Sequence, residues 1–408
     1  MKSNTLINSH GIRNHRTTAM LMLMAGLLWL SCSKQDEHKK YLPGAPLVYP
    51  GKADSIITFP GNNRIKLSWL LVSDPTITKA KVFWNNRQDS ATVDIARKPG
   101  IDTVSIIIDR LQETSYTFEI FTYDKEGNKS VPAPVTGKVY GTKYQRSLLN
   151  RGVQSVNYSS DTKMVAITWG KADTVNVNTR LWYTSEAGEQ KVITIDSGTY
   201  NTSISWKIGS KIYYQSSFKP VPKAIDEFNV LNKDSIAVQH VPVPKAAWVK
   251  INLPNDVAAN AWGANLSWIW DGKGADYPQI YHTGGEGIPH HFTIDLGALY
   301  ALTKFENIGR VNANPYHNPV KFEVWGIADL TNAATTLPGS DPGWKNESIS
   351  KGWTLLKDIV RPDNGTNPYK VDLLPGIPPV RYIRIRVLET IDKDKDSHMS
   401  EISFWYNP

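Results

Sequence analysis

What most constrains this chain is a run of short alternating segments that recurs at domain length. Ile65-Lys-Leu-Ser-Trp69 sets an apolar residue at every second position, and Val165-Ala-Ile-Thr-Trp169 does the same one hundred positions later. Arg180-Leu-Trp-Tyr183 then echoes Lys81-Val-Phe-Trp84, and Thr202-Ser-Ile-Ser-Trp206 echoes Thr103-Val-Ser-Ile106. Lys211-Ile-Tyr-Tyr-Gln-Ser-Ser-Phe218 matches the alternating strand Thr117-Phe-Glu-Ile-Phe-Thr-Tyr123. A period of two buries one face of a strand, whereas a helix needs a period of 3.6. Turn signals at Asn62-Asn63, Asn85-Asn86, Lys98-Pro-Gly100 and Glu126-Gly-Asn128 separate the segments. Short strands at this spacing predict antiparallel sandwiches, and the whole-length echo predicts two copies of one fold. Trp69, Trp84, Trp169 and Trp206 lie in alternating strands, so they are expected in cores rather than on ligands.

Leu111-Gln-Glu-Thr-Ser-Tyr116, with the strand after it, resembles the tyrosine-corner region of fibronectin type III domains. Farther on, a second resemblance covers about 165 residues. Asp271-Gly272 is followed in order by His291-Phe-Thr-Ile-Asp-Leu-Gly297, Asn318-Pro-Val-Lys-Phe-Glu-Val324, Gly352-Trp-Thr-Leu-Leu356, Arg381-Tyr-Ile-Arg-Ile-Arg386 and Ser400-Glu-Ile-Ser-Phe404. This order resembles the discoidin-like (coagulation factor 5/8 type C, galactose-binding-like) jelly roll. The expected fold class is therefore all-β: two tandem immunoglobulin/fibronectin III-like sandwiches, 50–140 and 141–243, then a discoidin-like jelly-roll sandwich, 244–408. Pro220-Val-Pro222 and Val241-Pro-Val-Pro244 are expected to be stiff and extended, the second marking the last boundary. Stacked sandwiches with such joints predict a semi-rigid stalk.

The N-terminus carries an address. Lys2, Arg13 and Arg16 lead into an apolar run over 19–30, too short to span a bilayer and suited to a signal peptide over 1–31. Ser31 precedes Cys32, the single cysteine of the chain, so an internal disulfide is excluded and lipidation of Cys32 is the natural use. The segment resembles a bacterial lipoprotein signal, and the polar tether over 32–49 resembles that of surface lipoproteins of Bacteroidota-type bacteria. The resemblance implies an outer-membrane, lipid-anchored, surface-exposed protein. The formal net charge of +8 is spread along the chain without a basic block or a nucleic-acid motif, which points to solubility and not to nucleic acid.

Sugars present a flat C–H face and an edge of hydroxyls, so they call for an aromatic platform beside planar polar groups. In the loops of the last domain His282, Arg310, Asn314, Tyr316 and Trp344 are the expected ligand-binding residues, with Trp344 in a Gly/Pro insertion over 337–351 that would fold over the site. Trp262 is among the loop aromatics that could form the platform; the plainer reading has Trp248, Trp262, Trp268 and Trp270 plugging the core or the domain joint, and for Trp268 and Trp270 it is the better one. The discoidin-like resemblance further implies a structural Ca²⁺, with Asp271 and Glu401 at the matching positions and Asp276 able to help; the plainer reading has Asp271 capping a turn and Glu401 paired with an Arg. Asp392-Lys-Asp-Lys-Asp396 looks like an EF-hand fragment without its Gly and Glu, and is read as a solvated loop. His290-His291 lacks partners at zinc spacing and is read as a polar loop.

No Gly-x-Ser-x-Gly, His-Glu-x-x-His or Walker-type motif is present. The expectation is a non-catalytic surface lipoprotein whose terminal domain binds an oligo- or polysaccharide. The alternative is a structural or adhesive protein gripping a protein partner. A glycoside hydrolase, which needs two facing carboxylates, ranks below both.

Overall fold

The computed structural model describes residues 49–311 and 315–408. The signal segment, Cys32, most of the tether and Asn314 lie outside the described residues. Two compact units result. The first holds 49–57, Ser68–Ile106 and Thr117–Thr136; the second holds Thr58–Leu67, Ile107–Tyr116 and Gly137–Pro408.

The chain is all-β. Asp89–Asp94, Ile77–Trp84, Ser115–Asp124 and Ala133–Lys138 lie side by side in that order, and Asp54–Pro60, Ile65–Leu71 and Asp102–Ile108 form a three-stranded sheet. The alternation does what it predicts: Ile65, Leu67, Trp69 and Leu71 point inward, each at most 1% exposed. At the expected tyrosine corner the Tyr116 hydroxyl accepts a hydrogen bond from the Gln112 N–H at 3.0 Å.

The same arrangement recurs in the second copy. Gln190–Asp196, Asn176–Thr184, Ile212–Phe218 and Phe228–Asn229 form one sheet, and Asn201–Ser205, Met164–Trp169 and Val153–Ser159 the other. Trp169 and Trp206 are buried in its core, their indole N–H groups donating to Thr202 Oγ1 (2.9 Å) and the Ser210 carbonyl (3.0 Å). Trp84 is half-buried against Phe118.

The last region is a β-sandwich of two sheets, as expected. One sheet runs Val241–Pro242, Glu401–Tyr406, Leu302–Ile308, Tyr369–Asp372; the other runs Val249–Ile251, His290–Tyr300, Val380–Thr390, Pro319–Ile327, Thr354–Val360. The Pro-bearing run expected as a joint is thus an edge strand, Val241 opposite Tyr406, where a missing N–H is tolerated. Phe292, Ile294, Phe305, Phe322, Val324, Ile383, Ile385, Ile402 and Phe404 fill the space between the sheets. Burial of each stabilises the fold by roughly 1.5–3 kcal/mol.

The outer face of the five-stranded sheet is covered as well. Trp325 and Ile327 point away from the inner core and meet Trp344, Trp353 and Ala333 in a separate cluster. Residues 328–353, including the short helix Trp344–Ser350, therefore close over the back of the sheet. Buried charges sit under this cover. Arg386 bonds Glu323 Oε2 (3.3 Å) and the Gly339 carbonyl (2.7 and 2.9 Å), and Arg384 donates to Thr293 Oγ1 at 3.1 Å.

Candidate functional site

At one end of the last sandwich, Tyr281–His282 pairs with His398–Met399, placing His282 opposite His398. Asn260 bridges His282, so the 3₁₀ turn Ala261–Gly263 lies alongside. Trp262 stands on that turn at φ 58° and is 71% exposed. Beside it Tyr277, 43% exposed, donates its hydroxyl to the Trp262 carbonyl.

Arg310 is delivered by the end of the strand Leu302–Ile308. A Cβ on Gly309 would come within 2.2 Å of the Gly365 carbonyl oxygen and 2.6 Å of the Asn318 side chain, so this close approach needs glycine. It lets buried Asn318 Oδ1 accept from the Arg310 N–H at 2.9 Å. The guanidinium forms an ion pair with Asp276 and lies 5.8 Å from the centroid of the Tyr316 ring, itself 41% exposed. Tyr316 packs on His317 at 4.9 Å, and the rings of His282, His317 and His398 stand 5.5–5.7 Å apart. Burial, reinforced by His282, His317 and Arg310, pushes the His398 imidazole down to about 3, so it is neutral at physiological pH. Burial also lowers His282, whose Nδ1 is 2.6 Å from the Thr283 carbonyl.

The fold thus brings Arg310 and Tyr316 to one rim, with His282 buried behind them at 9% exposure. It does not bring Trp344 there. Trp344 is fully buried beneath the sheet's outer cover, 5.6 Å from Trp325 and 5.2 Å from His291, because the 337–351 insertion packs on the back of the sheet and not over the rim. The indole exposed near His282 is Trp262 instead, a loop aromatic whose plainer reading put it in the core with its neighbours. Trp248 and Trp270 do lie there, 4% and 9% exposed, and Trp268 is half-buried.

The residues expected to hold Ca²⁺ do not fit it. Glu401, 5% exposed, has one oxygen in an ion pair with the Lys245 ammonium and the other accepting from the Gly272 N–H at 3.2 Å. Asp276 is engaged by Arg310, and Asp271 Oδ1 accepts from the Lys273 N–H at 2.9 Å. Ca²⁺ takes six to eight oxygens; here a lysine supplies the positive charge beside Glu401. Asp271 does cap its own turn, and Glu401 is paired with a lysine where an arginine was expected.

His290 and His291 are internal hydrogen-bonding groups. His290 Nε2 meets Ser397 Oγ at 2.7 Å, and His291 Nδ1 meets Asp256 Oδ1 at 2.7 Å. The loop carrying Asp392 and Asp394 is exposed, as expected, and their carboxylates turn toward His317 Nδ1, at 2.8 and 3.6 Å.

Two family models match the chain, both described as a domain of unknown function: DUF4998 over residues 32–228 and DUF5000 over residues 270–371. No curated protein matches it. Among solved structures, the chain is similar to the SusE-like protein BT2857, with 20% identity over 40% of this chain and 99% of that one, at a TM-score of 0.33. It is similar to CpGH89CBM32-5 from Clostridium perfringens in complex with GalNAc-β-1,3-galactose, with 16% identity over 40% and 99% of the two chains, at a TM-score of 0.29. A third is the family 32 CBM from C. perfringens NanJ in complex with galactose, with 13% identity over 41% and 99%, at a TM-score of 0.29.

Proposed function

We propose that this protein is a non-catalytic surface lipoprotein, anchored through Cys32, that binds glycan at the rim of its last sandwich while the two fibronectin-like domains hold that rim away from the membrane. The observation that supports the reading best is the company kept by Arg310. A guanidinium braced by Asp276 stands beside the exposed ring of Tyr316, with His282 nearby and the open indole of Trp262 on the adjoining turn. Such a set offers flat apolar faces for pyranose C–H groups and fixed donors for ring hydroxyls. Asp276, a carboxylate at this rim, is engaged in an ion pair with Arg310, which favours a binding role for it over that of a free catalytic acid.

A glycan array probed with the purified full chain tests this. It should include galactose- and GalNAc-terminated glycans, the sugars bound in two of the solved structures similar to this chain. Binding to a defined set is expected; a blank array at high protein concentration would remove the reading. On any glycan found, Arg310→Ala should weaken binding about 10- to 100-fold, the loss of a hydrogen bond from a charged donor. Trp262→Ala should weaken it about tenfold with little change in melting temperature, since its ring is largely solvent-facing; titration calorimetry and thermal unfolding read the two effects.

A further inference from the structure

We propose that His317, Asp392 and Asp394 form a site for a single divalent transition-metal cation of the Zn²⁺ class. The proposal does not depend on glycan binding. The three side chains come from two loops separated by the strands of the sandwich, yet His317 Nδ1 and one oxygen of each carboxylate all lie within 4.8 Å of one another. The carboxylate oxygens are 2.8 and 3.6 Å from that nitrogen. The arrangement is built into the backbone: the His317 N–H donates to Asp392 Oδ1 at 3.0 Å, and its carbonyl accepts from the His398 N–H at 3.0 Å.

A separate observation points to a ligand. His398 is completely buried, and neither of its ring nitrogens has a hydrogen-bond partner. Leaving a buried polar group unpaired costs about 1–3 kcal/mol. Its ring stands against His317 with centroids 5.7 Å apart, so an unused imidazole lies directly behind the three-residue set. One imidazole and two carboxylates, with a second imidazole in reserve, make a nitrogen–oxygen donor set. Zn²⁺ and its neighbours suit such a set, whereas Ca²⁺ and Mg²⁺ prefer oxygen alone. A bound cation would tie the loop carrying Asp392 and Asp394 to the loop carrying Tyr316.

The test titrates Zn²⁺ alone into full chain freed of metal by chelator, by calorimetry near neutral pH, with Ca²⁺ in a parallel titration. One Zn²⁺ per chain is expected, together with a rise of several degrees in melting temperature at about a hundredfold excess over Kd. Ca²⁺ should give neither. The double variant D392N/D394N keeps side-chain shape on partly exposed residues and should lose at least tenfold in Zn²⁺ affinity while its apo melting temperature stays near wild type. His317→Ala should likewise lose at least tenfold in Zn²⁺ affinity. The proposal is overturned if the wild type takes up no Zn²⁺, or if both variants bind it as tightly as the wild type does.

Discussion

Trp344→Ala is expected to destabilise the protein by about 3–5 kcal/mol, the range for emptying a buried tryptophan site. The indole is wholly buried and touches Trp325 at 5.6 Å and His291 at 5.2 Å, and the Arg386 guanidinium lies 4.5 Å from its ring centroid. Its loss leaves a cavity under the outer cover of the sheet and uncovers the buried Arg386–Glu323 pair. Denaturant unfolding followed by tryptophan fluorescence should show the transition of the last sandwich moving to lower denaturant. Below that transition, glycan binding should persist, because the cover lies on the sheet face and not at the rim. A variant that kept its stability but lost binding would put Trp344 back on the rim.

Glu401→Gln should change how stability depends on pH. Burial pushes the Glu401 carboxyl from 4.5 up to about 7, against the pull of Lys245. Because the folded pKa is the higher one, the native state holds this proton more tightly than the unfolded state does between those two values. Stability from this group is therefore greatest below 4.5 and falls as pH rises toward 7. The shift corresponds to a loss of about 3 kcal/mol across that window. Glu401→Gln cannot titrate, so chemical denaturation at a series of pH values should show this decline in the wild type and a flatter profile in the variant. Equal slopes would show that Glu401 ionises as freely in the native state as in the unfolded chain. Because Lys245 already holds Glu401, Ca²⁺ in millimolar excess should leave the melting temperature unchanged.

Much of the architecture is legible in the residues alone. Alternation in Ile65–Leu71 and its echo in Met164–Trp169 each specify a strand with one buried face, and the order of the C-terminal motifs matches the strands that build the last sandwich. Less legible is which second surface covers a strand. Pro319–Ile327 is apolar on both faces, Phe322 and Val324 on one and Trp325 and Ile327 on the other, which is the mark of a strand covered twice. That signal locates Trp344 better than the Gly and Pro content of its insertion does. Trp262 is open to either reading in the sequence: it precedes an aromatic run that does enter the core, and the turn at Trp262 and Gly263, both at positive φ, turns it outward. The Lys245–Glu401 pair joins residues 156 positions apart, a separation over which no local pattern operates.

The most direct test of glycan binding at the rim is affinity electrophoresis of the full chain through native gels cast with candidate polysaccharides, wild type and Arg310→Ala in adjacent lanes. Retardation of the wild type in at least one gel is expected, with the variant migrating as it does in gel without polysaccharide. A wild type retarded by none of them, or a variant retarded equally, would contradict a glycan site built around Arg310.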